Sequence, residues 1–113
     1  SYEKIIENEL NKYAQSLTEA FNLNIIFDQS INAIIYKEGV YPTQGVRPIF
    51  TSIHQVLKSK IIFFYSEIFL KALDVDCLQF LFCEKHLVCH YIKGQKTIYS
   101  LKTEVSTGLE KLA

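Results

Sequence analysis

The sequence lacks a net charge, because its 113 residues hold twelve basic and twelve acidic side chains. A chain without excess positive charge is a poor candidate for a general nucleic-acid or membrane-surface binder, and the balance leaves room only for a local basic patch. It also lacks a long apolar run: the most apolar stretch, residues 61–73, is too short to span a bilayer and is interrupted by Ser66, Glu67 and Lys71. We therefore expect neither nucleic acid nor membrane as a partner.

Cysteine is scarce, with three residues and no Cys-x-x-Cys pair. This odd number argues against a disulfide framework, so we expect a reducing, cytoplasmic setting. Cys83, His86, Cys89 and His90 lie close together in the chain, but their spacing does not suit zinc, and no metal site is predicted. Cys77 and Cys83 share strand parity with apolar residues, so we expect both thiols to be buried.

Apolar residues are abundant instead, at 49% of the chain, which is enough to form the core of one domain. We expect this domain to occupy residues 1–103 and residues 104–113 to form a tail or a linker. Because the chain enters a helical pattern immediately after Ser1, we expect it to be part of a longer protein.

Helical periodicity dominates the first two thirds of the chain. Apolar residues recur at three- and four-residue steps over Tyr2–Phe21, which predicts an amphipathic helix. A second helix is predicted over Ile31–Lys37, capped by Asp28 or Ser30 and followed by Gly39 as its C-terminal stop. A long third helix is predicted over Val46–Asp74, which Ser59 and Lys60 would either kink or divide.

Alternating apolar residues predict strands in the rest of the chain. The candidates after residue 75 are Cys77–Cys83, His86–Ile92 and Thr97–Thr103, with Lys93-Gly94-Gln95 as the better of the two turns between them. A short β-branched run at Leu23–Phe27 can add an edge strand. The predicted fold class is α+β: N-terminal helices packed against a small, mostly antiparallel sheet of three to four strands.

One short stretch concentrates the residues that restrict or free the backbone. Both prolines, Pro42 and Pro48, and two of the four glycines, Gly39 and Gly45, fall there together with Arg47, the one arginine of the chain. Pro48 suits the first turn of a helix, because it lacks an N–H group and has a fixed φ. A cation at a helix N-terminus is unfavourable by about 0.3–1 kcal/mol. A bound anion would remove this conflict, and so would solvent exposure or a pair with a carboxylate such as Glu38.

Two motifs in this stretch resemble the C-terminal small (lid) subdomain of AAA+ ATPases of the Clp type. Residues 37–42 read Lys-Glu-Gly-Val-Tyr-Pro, which is similar to the family's Lys-Gly-Tyr-x-Pro. Residues 45–49 read Gly-Val-Arg-Pro-Ile, which is similar to its Gly-Ala-Arg-Pro-Leu. The predicted order of helices and strands also resembles this subdomain. The resemblance assigns structural roles in the motif to Gly39, Pro42, Gly45 and Pro48.

The resemblance implies that Arg47 is the sensor-2 residue, which reaches from the lid to the phosphates of ATP. It implies ATP with magnesium as the cofactor of a parent protein, which would be a ring-forming unfoldase or an ATP-dependent protease subunit. Its partners would be an upstream AAA+ large subdomain, neighbouring subunits and a protein substrate. The sequence contains no Gly-x-x-x-x-Gly-Lys-Ser/Thr phosphate loop, so we expect the isolated fragment to hold no cofactor and to have no catalytic activity.

Two other functions are consistent with the residues. Three helices followed by a hairpin would fit a winged-helix-like DNA-binding module, with phosphate contacts from Lys58, Lys60 and Lys71. The neutral charge and the low arginine content speak against it, because charge neutralisation drives such binding. An oligomerisation module is the other alternative, with the aromatic part of the third helix as its contact surface.

Overall fold

The computed structural model describes residues 1–39 and 47–105, with only the backbone described for Arg47. The described elements are, in order: α1 (Tyr2–Phe21), β1 (Asn24–Phe27), α2 (Gln29–Gly39), α3 (Arg47–Ile53), a π-helical turn (His54–Lys58), α4 (Ile61–Leu70), β2 (Cys77–Cys83), β3 (His86–Lys93) and β4 (Lys96–Glu104). This confirms the predicted α+β class. Among the described residues, no helix is both long and apolar enough to cross a membrane.

The first helix has the limits that its periodicity predicts. The Ser1 hydroxyl accepts a hydrogen bond from the Lys4 N–H at 3.4 Å, which satisfies one of the free donors at the helix start. Asn22 ends the helix in the left-handed conformation with φ of 55°. The buried face consists of Ile6, Leu10 and Leu17.

The second helix is longer than predicted and is capped by Asp28. The Asp28 Oδ2 atom accepts a hydrogen bond from the Ser30 N–H at 2.9 Å, so Asp28 is the cap among the two candidates. The Ser30 hydroxyl instead accepts the N–H of Phe82 at 2.9 Å, which ties the start of α2 to β2. Ile31 and Ile35, both 0% exposed, face the core.

The predicted long third helix is divided. The chain is α-helical only to Ile53, and it then widens into the π-helical turn, in which the Ser59 N–H donates to the His54 carbonyl at 3.0 Å. The Ser59 hydroxyl donates to the Gln55 carbonyl at 3.0 Å and competes with the helical ladder. A separate helix, α4, follows from Ile61, so Ser59 and Lys60 divide the segment rather than kink it.

The sheet has the strand order β1-β2-β3-β4. β1 lies at one edge, as predicted, and pairs with β2 in parallel, whereas the other two pairs are antiparallel. β2 has the predicted limits. β4 extends to Glu104, one residue beyond its predicted end, and Val105 is buried with its N–H donating to the Lys85 carbonyl at 2.9 Å.

The helices pack on one face of the sheet, and the core lies between the two layers. Phe64 of α4 makes an edge-on contact with Phe80 of β2, with 5.6 Å between ring centroids. The Tyr91 hydroxyl donates to the Phe64 carbonyl at 2.6 Å, so this buried phenol is satisfied by helix backbone. These contacts fix α4 on the sheet and leave the start of α3 to be held by α2.

Candidate functional site

The third helix begins at Arg47, next to the predicted start at Val46. Pro48 follows in the first turn, where its missing N–H costs no helical hydrogen bond. Ile49 is 0% exposed and anchors this turn in the core. The side chain of Arg47 lies outside the described part of the structure, and so do residues 40–46 with Pro42 and Gly45. The predictions for these residues stay predictions.

Gly39 holds this helix start by close contact between two backbones. A Cβ atom on Gly39 would lie 2.8 Å from the Ile49 Cα atom and 3.1 Å from the Pro48 carbonyl oxygen. Gly39 is the last residue of α2, as predicted, and it does not have positive φ, so a left-handed conformation is not the reason for glycine here. The residue is a glycine because α3 passes too near for any side chain. The position of Arg47 therefore depends on the end of α2.

A buried carboxylate lies next to this contact. Glu38 is 8% exposed, which is unusual for a charged side chain. It precedes Gly39 directly, so it belongs to the same end of α2 that packs on the first turn of α3. The predicted alternative partner of Arg47 is thus a buried group, and whether the two side chains pair stays a prediction.

Apolar residues recur at helical spacing along α3 and the π-helical turn, and four of these five residues are buried. Ile49, Ile53, Val56 and Leu57 are buried, but Phe50 is 46% exposed. Phe50 borders a cavity of about 190 Å³ together with Tyr13 and Lys58. The Lys58 Nζ atom lies 5.1 Å from the centroid of the Tyr13 ring. Burial raises the pKa of Tyr13 to about 12, so its phenol stays neutral even in mildly alkaline solution.

The cysteines and histidines of the hairpin do not form one cluster. Cys89 pairs with Phe80 across the sheet and is fully buried on its helix-covered face. Cys83 and His86 are paired at the end of the β2–β3 hairpin. In residues 1–39 and 47–105, no group of three His, Cys, Asp or Glu side chains has an arrangement that could hold a metal ion.

The prediction that the thiols of Cys77 and Cys83 are buried is correct for the first and wrong for the second. Cys77 is buried, and burial is the main cause that raises its pKa, with Asp76 adding to it. Cys83 is exposed, contrary to prediction, because it is the last residue of β2 and the turn beside it leaves it uncovered. The Nδ1 atom of His86 lies 2.8 Å from the Glu84 carbonyl, and the Nδ1 atom of His90 lies 2.7 Å from the Ser100 hydroxyl. The imidazole of His86 is therefore engaged by the β2–β3 turn and that of His90 by β4.

Two of the lysines considered for DNA contact lie over tyrosine rings of the same domain. Lys58 lies over Tyr13, and the Lys71 Nζ atom is 5.6 Å from the Tyr99 ring centroid. Lys71 also approaches a Glu67 carboxylate oxygen at 3.9 Å. These internal contacts compete with the phosphate contacts that the DNA-binding alternative requires.

The fourth helix is apolar on two sides. Phe64 is fully buried, and Tyr65 stacks on Phe21 of α1 with 3.8 Å between centroids. The opposite side exposes a second apolar stripe, which consists of Ile62, Phe63, Phe69 and Leu70. Such a stripe is typical of a surface that meets another protein or another domain.

One comparison with known proteins gives a match. The sequence model of a family described as the C-terminal, D2-small domain of ClpB protein matches residues 1–70, from the start of α1 to the end of α4. A comparison with curated proteins gave no match. The matched residues include Gly39, Arg47 and Pro48, which lie in the two motifs and whose backbone the structure describes.

Proposed function

Because the chain belongs to the family of C-terminal D2-small domains of ClpB proteins, we propose that it is the lid of an AAA+ ATPase in which Arg47 senses the phosphates of ATP. The family supports a lid subdomain of a larger Clp-type AAA+ module. It also implies a parent protein that binds ATP and magnesium and assembles as a ring. The more specific part of the proposal is that Arg47 is the residue that senses the phosphates.

The observation that carries this part is the helix that begins at Arg47 and is packed on Gly39. Free N–H groups and the helix dipole favour an anion at such a start, and a guanidinium adds a charged, two-pronged donor. A phosphate group would resolve the electrostatic conflict that the arginine creates there. The close contact with α2 supports the role because it would keep the first turn of α3 in place while a ligand is bound.

The lid would act by rigid-body motion between the upstream large subdomain and neighbouring subunits. The apolar stripe Ile62, Phe63, Phe69 and Leu70 is a suitable contact surface for one of them. The parent would be an unfoldase or an ATP-dependent protease subunit acting on a protein substrate. The free thiols Cys77, Cys83 and Cys89 are compatible with the reducing cytoplasm that we expect for it.

The test is Arg47→Ala in the complete AAA+ protein that contains this domain. We expect ATP turnover to fall by about 100-fold, the usual effect of losing one donor aimed at transition-state charge. ATP turnover of the Arg47→Lys protein should fall less, because lysine keeps the positive charge but lacks the planar, two-pronged donor of arginine. Lys102→Ala on β4 removes an exposed positive charge elsewhere and should leave turnover unchanged. Normal turnover of the Arg47→Ala protein would contradict the proposal.

Unfolding of the 113-residue domain separates this role from the Glu38 alternative. If Arg47 is held in a buried ion pair with Glu38, its removal should lower the free energy of unfolding by about 3 kcal/mol. If Arg47 serves a phosphate from another subdomain, the isolated Arg47→Ala domain should unfold at nearly the same urea concentration as the unchanged chain. A large loss of stability with normal ATP turnover in the parent would favour the structural role.

A further inference from the structure

A groove runs along α1 on the side that meets α2 and β1. It consists of two adjoining cavities of about 400 and 270 Å³, which share Glu7, Gln29 and Asn32. Lining residues on α1 extend from Glu3 to Ala14. At about 1.5 Å per helical residue this stretch is about 16 Å long, the length of about five extended residues. We call it the α1 groove.

The α1 groove has an apolar floor and a polar, acidic rim. Ile6, Leu10 and Ile25 form the floor and are at most 5% exposed. The rim carries two carboxylates and three amides, from Glu3, Glu7, Asn11, Gln29 and Asn32. Among the residues that the structure describes, no basic side chain lines either cavity. The groove thus has unbalanced negative charge over a surface that water solvates poorly.

A neighbouring cation among the described residues, Lys4, does little to balance this charge. The Lys4 Nζ atom lies 4.0 Å from a Glu7 carboxylate oxygen, at the limit of an ion pair, and the two side chains are 67% and 53% exposed. Exposed pairs of this kind contribute little. The α2 end of the groove also has an exposed apolar side chain, Tyr36, which is 42% exposed.

We propose that the α1 groove binds an extended peptide segment of a partner protein that carries a lysine or arginine for Glu3 and Glu7 and an apolar side chain for Tyr36. The charge of the rim selects a basic segment. The three amides favour an extended peptide. Each amide can donate one hydrogen bond and accept another, and the backbone N–H and C=O groups of an extended peptide are free to form them, whereas those of a helix are already bonded to each other. None of the lining residues belongs to α3, so this inference is independent of Arg47.

The experiment uses the 113-residue chain and labelled hexapeptides. The probe is an alanine hexapeptide with one leucine and, three residues away in either order, one lysine; the control peptide has glutamate in place of lysine. We expect the lysine peptides to bind and to shift the amide NMR signals of Ile6, Asn11 and Asn32. The double variant Glu3→Gln and Glu7→Gln should bind about fivefold more weakly, the effect of two exposed charge pairs. Glu19→Gln, on α1 outside the groove, should bind like the unchanged chain.

Several results would overturn the proposal. They are the absence of signal changes in the groove at about 1 mM peptide, equal binding of the glutamate peptide, and equal weakening by Glu19→Gln. A shift of the same signals with protein concentration alone would mean that a second copy of the chain fills the groove, which also overturns it. Far-ultraviolet circular dichroism of each variant shows that the fold is kept, so a loss of binding reports on the groove.

Discussion

Gly39 and Gly94 both lie at the end of a regular element, and each position demands glycine for a different reason. At Gly39, a Cβ atom would lie 2.8 Å from the Ile49 Cα atom, although the backbone has no positive φ. At Gly94, a Cβ atom would meet no heavy atom within 4 Å, but φ is +57°. The first glycine is required by a neighbouring helix and the second by its own backbone.

This difference determines how much of the structure a substitution at each glycine would disturb. Gly94 belongs to the two-residue turn between β3 and β4, and its N–H donates to an Asp76 carboxylate oxygen at 3.0 Å. A substitution there strains one turn. Gly39 instead joins α2 to the first turn of α3, so a substitution there must move the helix that begins at Arg47. The region around the start of α3 is thus the less tolerant of the two regions.

Gly39→Ala should have the largest effect on stability. The new Cβ atom meets backbone, which cannot turn aside like a flexible side chain, so overpacking should lower the free energy of unfolding by about 2–3 kcal/mol. Urea unfolding followed by circular dichroism measures this loss. The amide NMR signals of Ile49 and Phe50, which follow Pro48 in α3, should shift as well. Stability within about 0.5 kcal/mol of the unchanged chain would show that α2 and α3 separate easily, and would remove the support that Gly39 gives to the site.

Local patterns predict most of the fold correctly. The limits of α1 follow from a long apolar period, and those of β2 from a short, mostly apolar run that ends at the polar pair Glu84-Lys85, because each pattern reports the burial of a single element. The sequence of Arg47 and Pro48 locates the start of α3 because proline tolerates few other helical positions. The family resemblance rests on the same stretch and is supported by the match over residues 1–70.

Features that depend on a distant neighbour are not predicted. Gly39 is recognisable as important, but its reason lies ten residues away, in the backbone of Ile49. Parity along β2 predicts a buried Cys83, yet burial at the end of a strand depends on what covers the hairpin. The α1 groove is not predicted from the sequence, because its carboxylates and amides belong to separate elements that come together only when α1, α2 and β1 pack against each other.

Gly94→Ala should have a smaller, purely local effect. A side chain in the left-handed region costs about 1–2 kcal/mol, and the lower entropy of the unfolded chain offsets part of this. We therefore expect a loss of about 1 kcal/mol in urea unfolding, with unchanged NMR signals in α2 and α3. Gly94→Asn should recover part of the loss, because asparagine tolerates positive φ better. A loss as large as that of Gly39→Ala, or one that disturbs α3, would contradict the distinction between the two glycines.

The smallest effect on stability is expected in the turn between β2 and β3, where positive φ occurs at residues that are not glycine. Glu84 and Lys85 have φ of 47° and 66°, so neither residue of this two-residue turn is the glycine that its backbone favours. Lys85→Gly should relieve the strain and, after the entropy that glycine adds to the unfolded chain, raise stability by about 0.5 kcal/mol. The bond from the Val105 N–H to the Lys85 carbonyl is kept, because it uses only backbone. Lys85→Ala is the matched control, since it removes the same side chain but keeps the Cβ atom. If thermal unfolding finds the glycine variant no more stable than the alanine variant, positive φ is not what limits this turn, and the reason given for Gly94 weakens with it.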